Sequence, residues 1–161
     1  MVSPIDLKEI EDGTGIYQKD FDQEVDQSVI YENINFTCVG KAYPGIVLTP
    51  ICDIITKRAP YLKVVQIVPA KWVYEKFLLS KNLTEKQMIG VDNVLPKQLG
   101  AIKREFMTQY IGNRTYRYHF LPKLENIVDN SFTDLKTVQT ISPADLEKHR
   151  KIATLRSPWR E

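Results

Sequence analysis

Apolar and polar positions divide the chain into a weakly patterned beginning and a patterned remainder. Residues 1–30 carry Ile5, Leu7, Ile10, Ile16, Tyr17 and Phe21, enough to dock an arm but too few to build a core. Gly13-Thr14-Gly15 breaks any continuous periodicity there. From Val29 onward short strands are predicted. Residues 35–39 read as a strand, with Gly40 and Tyr43-Pro44-Gly45 as the turn after it. Residues 45–49 and 51–55 are rich in β-branched side chains and read as one strand bent at Pro50. Lys57-Arg58-Ala59-Pro60 reads as a basic turn, and residues 61–68 form the strongest strand pattern in the chain, ended by Pro69.

Helical spacing follows. In residues 71–80, Trp72, Val73, Phe77 and Leu78 make an apolar face, and residues 83–88 suggest a further turn. Residues 96–111 place Leu99, Ile102, Phe106 and Tyr110 at intervals of three and four, with Pro96 in the first turn and Gly112 at the stop. Alternation returns at 116–121 and at 132–141, with 122–131 as a loop. Ser142-Pro143-Ala144-Asp145 has the grammar of a helix start, and the helix is predicted to run to about residue 155. A second such start, Ser157-Pro158-Trp159, leads into the last residues, and Trp159 is expected to dock on the domain. Strands bent by Pro and Gly, with short helices between them and no repeated βαβ order, predict an α+β fold: a small, strongly curved sheet or partly open β-barrel with short helices packed around it. The expected division is an acidic arm, 1–28, and one domain, 29–161.

Composition changes this picture little. With 161 residues, 43% hydrophobic and 26% charged, the chain is ordinary for one globular domain. It has no apolar run near the ~18–20 residues of a membrane span, no secretory signal pattern at residues 1–6, and two cysteines, too few for a disulfide scaffold. The expectation is a cytoplasmic protein without membrane contact.

Charge changes it more. The formal net charge is +2, but residues 1–35 hold nine acids and two bases, net −7, and residues 36–161 hold 20 bases and 11 acids, net +9. An acidic arm ahead of a basic body points to nucleic acid, or to an acidic protein, as partner. The arm is expected to compete for the same surface. Oligomeric state is left open.

The chemistry-bearing residues are few. His119 and His149 are the only histidines, Cys38 and Cys52 lack C-x-x-C spacing, and no G-x-G-x-x-G or Walker-type loop occurs. Neither a metal nor a cofactor is expected. Cys52 and Asp53 read as buried residues of a core strand, with Arg58, Arg104 or Arg117 as the partner a buried carboxylate needs. In Arg114-Thr115-Tyr116-Arg117-Tyr118-His119-Phe120, alternation puts the rings on one strand face and Arg117 and His119 on the other. Cations for phosphates and rings for bases are what a single-strand platform requires; buried, the same rings are core. Lys57, Arg58, Arg104, Arg114, Arg117 and His119 are the expected binding residues.

Residues 43–54 (Tyr-Pro-Gly-Ile-Val-Leu-Thr-Pro-Ile-Cys-Asp-Ile), then Arg58-Ala59-Pro60 and Val64-Val65-Gln66-Ile67-Val68-Pro69, resemble uncharacterised bacterial proteins with a G-x-V-L-T-x-x-C-D strand pair, and the last nine residues resemble the end of such proteins. The strand pair is also similar, more distantly, to the opening of PemK/MazF-type small barrels. That resemblance implies an RNA-binding or metal-independent endoribonuclease fold of toxin–antitoxin or antiviral defence systems, with Arg58 matching an Arg-Pro strand entry and Thr49 nearby as a hydroxyl. The usual Gly-Asp start of the first strand is replaced here by Pro44-Gly45-Ile46. The leading expectation is a binding module that holds nucleic acid or a protein through its basic surface. The alternatives are a PemK/MazF-type endoribonuclease using Arg58 and Thr49, and a protein–protein adaptor without nucleic-acid contact.

Overall fold

The computed structural model describes residues 17–18, 27–83, 96–124 and 128–155. Its strands are β1 (Tyr17–Gln18), β2 (Val29–Phe36), β3 (Lys41–Val47), β4 (Leu62–Pro69), β5 (Tyr118–Leu121), β6 (Ser131–Ile141) and β7 (Lys151–Leu155). The helices are α1 (Ile51–Ile55), α2 (Ala70–Ser80), α3 (Pro96–Phe106), extended by a π-turn at Met107–Ile111, and α4 (Pro143–Leu146). All strand pairs are antiparallel, in the order β1-β7-β2-β3-β4-β6-β5. The two residues of β1 come from the acidic arm and pair with the end of β7.

β4 lies in the middle and is buried along both faces, which is why its sequence is nearly continuous in β-branched residues. Its even-numbered side chains Val64 and Val68 enter two clusters. At the far end, Val68 meets Val73 and Phe77 of α2, Phe106 of α3, Tyr118 and Phe132; Phe77 and Phe106 ring centroids are 5.3 Å apart. At the near end, Val64 meets Tyr31, Ile34, Phe36, Val47 and Leu146. The odd-numbered Val65 and Ile67 join Ile30, Ile46, Leu121, Leu124 and Ala153 in a third cluster. Full burial of each such Val, Leu, Ile or Phe is worth about 1.5–3 kcal/mol.

The sheet is strongly curled, and local chemistry explains the curl. Pro44 sits inside β3 next to the last β3–β4 pair, Gly45↔Gln66, and with no N–H to give it ends that pairing. Opposite it the register jumps from Tyr31↔Gly45 to Ile34↔Tyr43, so Glu32 and Asn33 bulge out, with Asn33 in the left-handed region (φ 56°). The Glu32 amide donates instead to the Arg150 carbonyl at 3.0 Å, and the Arg150 guanidinium grips the Glu32 carboxylate through Nε and Nη2 at 2.6 and 2.7 Å. A second bulge lies in β6, between the pairs Val65↔Val138 and Gln66↔Asp134. So bent, β6 reaches across β4 and β3 to the end of β2. There Gln139 Oε1 accepts from Thr37 N (2.9 Å) and Thr37 Oγ1 (3.2 Å), and its Nε2 donates to the Asn35 carbonyl (2.9 Å). The result is a half-open barrel with short helices around it, as the alternating pattern predicted.

Several boundaries differ from expectation. Tyr43-Pro44-Gly45 is strand, not turn; the β2–β3 hairpin turns at residues 37–40, with Gly40 at φ 68°. Residues 51–55 form α1 rather than a strand. Pro50 cannot extend the sheet, its carbonyl accepts the amides of Asp53 and Ile54, and Thr49 Oγ1 is tied to Lys63 N at 2.7 Å. The helix begun at Ser142, whose Oγ accepts the Asp145 amide, stops at Leu146, and residues 151–155 are strand because β2 offers them an edge. The expected turn at 83–88, except Leu83, the last five residues with Trp159, and most of the arm lie outside the described residues.

Gly45 packs under this curl. A Cβ there would stand 2.6 Å from Val64 Cγ1, 3.2 Å from Phe36 Cζ and 3.3 Å from Ile34 Cγ1. Gly45→Ala is therefore expected to destabilise the fold by about 1–3 kcal/mol through overpacking, with part of the loss recovered in Gly45→Ala/Val64→Ala. Urea midpoints measure both. An unchanged midpoint for the single variant would show that the sheet is not tightly closed at this point.

Candidate nucleic-acid interface

Arg117 and Asp134 form the most constrained polar contact on the α2–β5–β6 side. Asp134 pairs across the sheet with both Tyr118 and Gln66, and its side chain is only 2% exposed. Arg117 Nε and Nη2 donate to Asp134 Oδ1 and Oδ2 at 2.8 and 2.7 Å, a bidentate fork, and the Lys136 amide adds a bond to Oδ1 at 3.1 Å. Burial pushes the Asp134 carboxyl up. The hydrogen bonds from Arg117 and Lys136, with the charges of Arg117 and Lys76, outweigh that and hold it below the ordinary carboxylate value. The guanidinium also lies 4.7 Å from the Tyr118 ring centroid.

Cations and rings continue outward from this pair. Lys76 Nζ sits 3.5 Å over the Trp72 ring one helical turn back along α2, and Trp72 is 38% exposed. On the other side of Arg117, Tyr116 is 89% exposed, and Arg114 is exposed beside it. Arg104 on α3 and Lys136 on β6 are exposed as well. The nearby acids Glu75, Glu105 and Asp134 are each engaged, by Lys71, Lys81 and Arg117. Among the described residues no carboxylate lies within ion-pair distance of Arg104, Arg114 or Lys136. The surface combines unneutralised cations with accessible rings, the two components of a single-strand platform.

A second basic surface lies at the opposite end of β4. Lys57 and Arg58 are exposed in the turn after α1. The Arg58 amide donates to the Asp53 carbonyl and the Lys57 amide to the Ile54 carbonyl, a Schellman closure with Lys57 in the position usually held by glycine (φ 53°). Tyr61 follows, 62% exposed, and Lys63 is exposed on β4 opposite Thr140.

The six expected binding residues thus divide. Arg104, Arg114, Arg117 and His119 belong to the α2–β5–β6 end, Lys57 and Arg58 to the other. Arg117 is committed to Asp134, while His119 is exposed on the opposite strand face from Tyr118. The three rings do not act together: Tyr118 is core, Phe120 packs on Phe132 at 5.3 Å, and Tyr116 lies before the strand in the open. The expectation of Cys52 and Asp53 as buried core is corrected. Cys52 is exposed, because residues 51–55 turn outward as α1 without a fully buried side chain, and Asp53 is half-buried beside the Cys52 thiol, 3.9 Å away. The buried carboxylate that needs Arg117 is Asp134. Thr49, paired with Arg58 in the endoribonuclease reading, is 5% exposed, and its hydroxyl accepts the Lys63 amide. Lys76, Asp134 and Lys136 were not singled out in the sequence, and Trp72, read there as part of an apolar helix face, is partly exposed. The i,i+4 spacing of Trp72 and Lys76, and an acid flanked by Phe132 and Leu135, were the signals for them. Among the described residues no three of His, Cys, Asp and Glu converge as a metal site, and no helix is long and apolar enough to cross a membrane.

The fold and these surfaces define a half-barrel α+β protein with two basic, aromatic-bearing ends. Set against protein-family models, curated proteins and solved structures, the chain matches none.

Three outcomes follow from the geometry. Arg117→Ala leaves a buried carboxylate unpaired and is expected to cost about 3 kcal/mol, much of it recovered in Arg117→Met/Asp134→Leu. Because the folded Asp134 titrates below its unfolded value, its contribution is complete at neutral pH and fades as pH falls through the folded value. The stability gap between wild type and Asp134→Asn should accordingly narrow in acid unfolding series below about pH 4; a gap that widens there contradicts the assignment. Lys57→Gly relieves left-handed strain and should raise the urea midpoint, a net gain of about 0.5–1 kcal/mol. A lowered midpoint would mean that the Lys57 side chain stabilises the fold.

Proposed function

We propose that this chain is a binding module for single-stranded nucleic acid, held along the α2–β5–β6 surface. The observation that carries the reading is the open Tyr116 ring set between Arg114 and the anchored Arg117, with the Lys76-capped Trp72 beyond Asp134. Tyr116 and Trp72 supply faces on which bases stack, and Arg104, Arg114, Lys76 and Lys136 supply charge for phosphates. Arg117 is a positioning residue: its fork onto Asp134 fixes the backbone that carries Tyr116. The −7 of residues 1–35 opposes the strand electrostatically and limits affinity until the strand displaces it.

Fluorescence anisotropy with a labelled oligouridine tests the reading. Binding should weaken steeply with salt, with a log–log slope of about −3 if four cations meet phosphates. Arg114→Ala or Lys136→Ala should each flatten that slope by about 0.7. Tyr116→Ala should weaken binding by about 1–3 kcal/mol and leave the slope unchanged. Amide replacements of Asp20, Asp22, Glu24 and Asp26 should tighten it. Absence of binding at low salt, or binding indifferent to Tyr116 and Arg114, would refute the reading; an acidic protein would then be the partner to seek.

A further inference from the structure

The seam where β6 meets β2 opens into a cleft of 390 Å³ at the mouth of the half-barrel. Its wall is the exposed Tyr61 ring with Ile141. Its polar groups are Asn35, Gln139, Thr140, Ser142, Asp145 and His149. Clefts of this size at barrel mouths, apolar on one side with a few oriented polar groups, are where small planar ligands are held.

Half of the polar lining is already fixed. Gln139 is locked by Thr37 and the Asn35 carbonyl. Asp145 accepts from Ser142 Oγ at 2.7 Å and from Lys148 Nζ at 2.6 Å, so its charge is balanced and its lone pairs are largely used. Among the described residues, the Asn35 carboxamide, the Thr140 hydroxyl and the His149 ring make no side-chain hydrogen bond and remain for a ligand. A carboxamide presents a donor and an acceptor side by side, the complement of the adenine N6–N7 edge. The imidazole adds a nitrogen that donates or accepts. An open tyrosine ring beside them offers a stacking face. Lys63, opposite Thr140 of the lining, and Lys57 and Arg58 just before Tyr61 put cations next to that ring.

We propose that this cleft is a nucleobase site: a purine, adenine best, stacks on Tyr61 and is read by Asn35 and His149, while Lys63 and the Lys57–Arg58 turn face its phosphate. The base comes from a free nucleotide or from a strand. The strand source deepens the reading above and rests on it; the free-nucleotide source does not.

The test uses the full chain carrying Trp159→Phe, so that tryptophan emission reports Trp72 alone. Adenosine 5′-monophosphate, ribose 5-phosphate and an adenine hexanucleotide are titrated separately, following backbone amide NMR shifts at Asn35, Tyr61, Gln139 and His149 together with Trp72 emission. Saturable cleft shifts with adenosine monophosphate, at least tenfold weaker with ribose 5-phosphate and lost in Tyr61→Ala and Asn35→Ala, support the site. If the hexanucleotide also moves the cleft amides and Trp72, the source is a strand. If only the mononucleotide moves the cleft and the hexanucleotide leaves Trp72 unchanged, the source is a free nucleotide and the strand reading fails alone. If the hexanucleotide moves Trp72 while neither adenine ligand moves the cleft, the cleft proposal is overturned and the strand reading stands. Silence at both probes overturns both, and equal shifts with ribose 5-phosphate reduce the cleft to an anion contact and overturn the base site.

Discussion

The sheet's curl depends on a bulge in β2. Between the pairs Tyr31↔Gly45 and Ile34↔Tyr43, two residues of β2, Glu32 and Asn33, stand opposite the single Pro44 of β3, so β2 bulges and bends. The displaced Glu32 amide and carboxylate are taken up by Arg150, which ties the bulge to the segment leading into β7. Gly45, next in line, lets Val64, Phe36 and Ile34 crowd against the backbone where any side chain would collide. With the strand bent and the core drawn in, β6 comes within reach of β2, and Gln139 closes the seam. The cleft between Tyr61 and His149 is the mouth that this closure leaves.

Function is distributed by the same geometry. One end of β4 receives α2 and α3, whose aromatic cluster packs on Val68, Tyr118 and Phe132 and leaves Lys76 and Arg104 exposed. Arg117 does not add to that free charge. Its fork onto Asp134 neutralises a deeply buried carboxylate and stiffens the approach to Tyr116. The other end of β4 is reached through α1, a short helix whose first amide donates to Gln27 Oε1 and whose end is closed by Lys57 in a left-handed conformation that glycine adopts more cheaply. A lysine held at that cost, beside Arg58 and an open Tyr61, is consistent with the turn being kept for what it contacts.

The architecture was legible in the sequence because the continuous β-branched run in 61–68 reflects a strand buried on both faces, while alternation in 132–141 and three-four spacing in 71–80 and 96–111 reflect one-sided burial. Where legibility failed, a tertiary partner overrode the local signal. Ser142-Pro143 started a helix as its cap chemistry dictates, but residues 151–155 joined β2 because an open strand edge outweighs weak helix propensity. Residues 51–55 look like strand by composition and are helix because Pro50 precedes them. The candidate site was half legible. Arg114, Arg117 and Tyr116 stood out as an alternating basic–aromatic run, while Asp134, Lys136 and the residues of the cleft come from elements brought together only by pairing of β6 with β4 and its closure on β2.

The most direct test of the account is photo-cross-linking of the full chain to a single-stranded RNA carrying 4-thiouridine, with the attached residues identified by mass spectrometry. The account predicts adducts concentrated at Tyr116 and Trp72, with a second group at Tyr61, all suppressed by excess unlabelled strand. Adducts absent at low salt, or confined to residues 1–35, would contradict it.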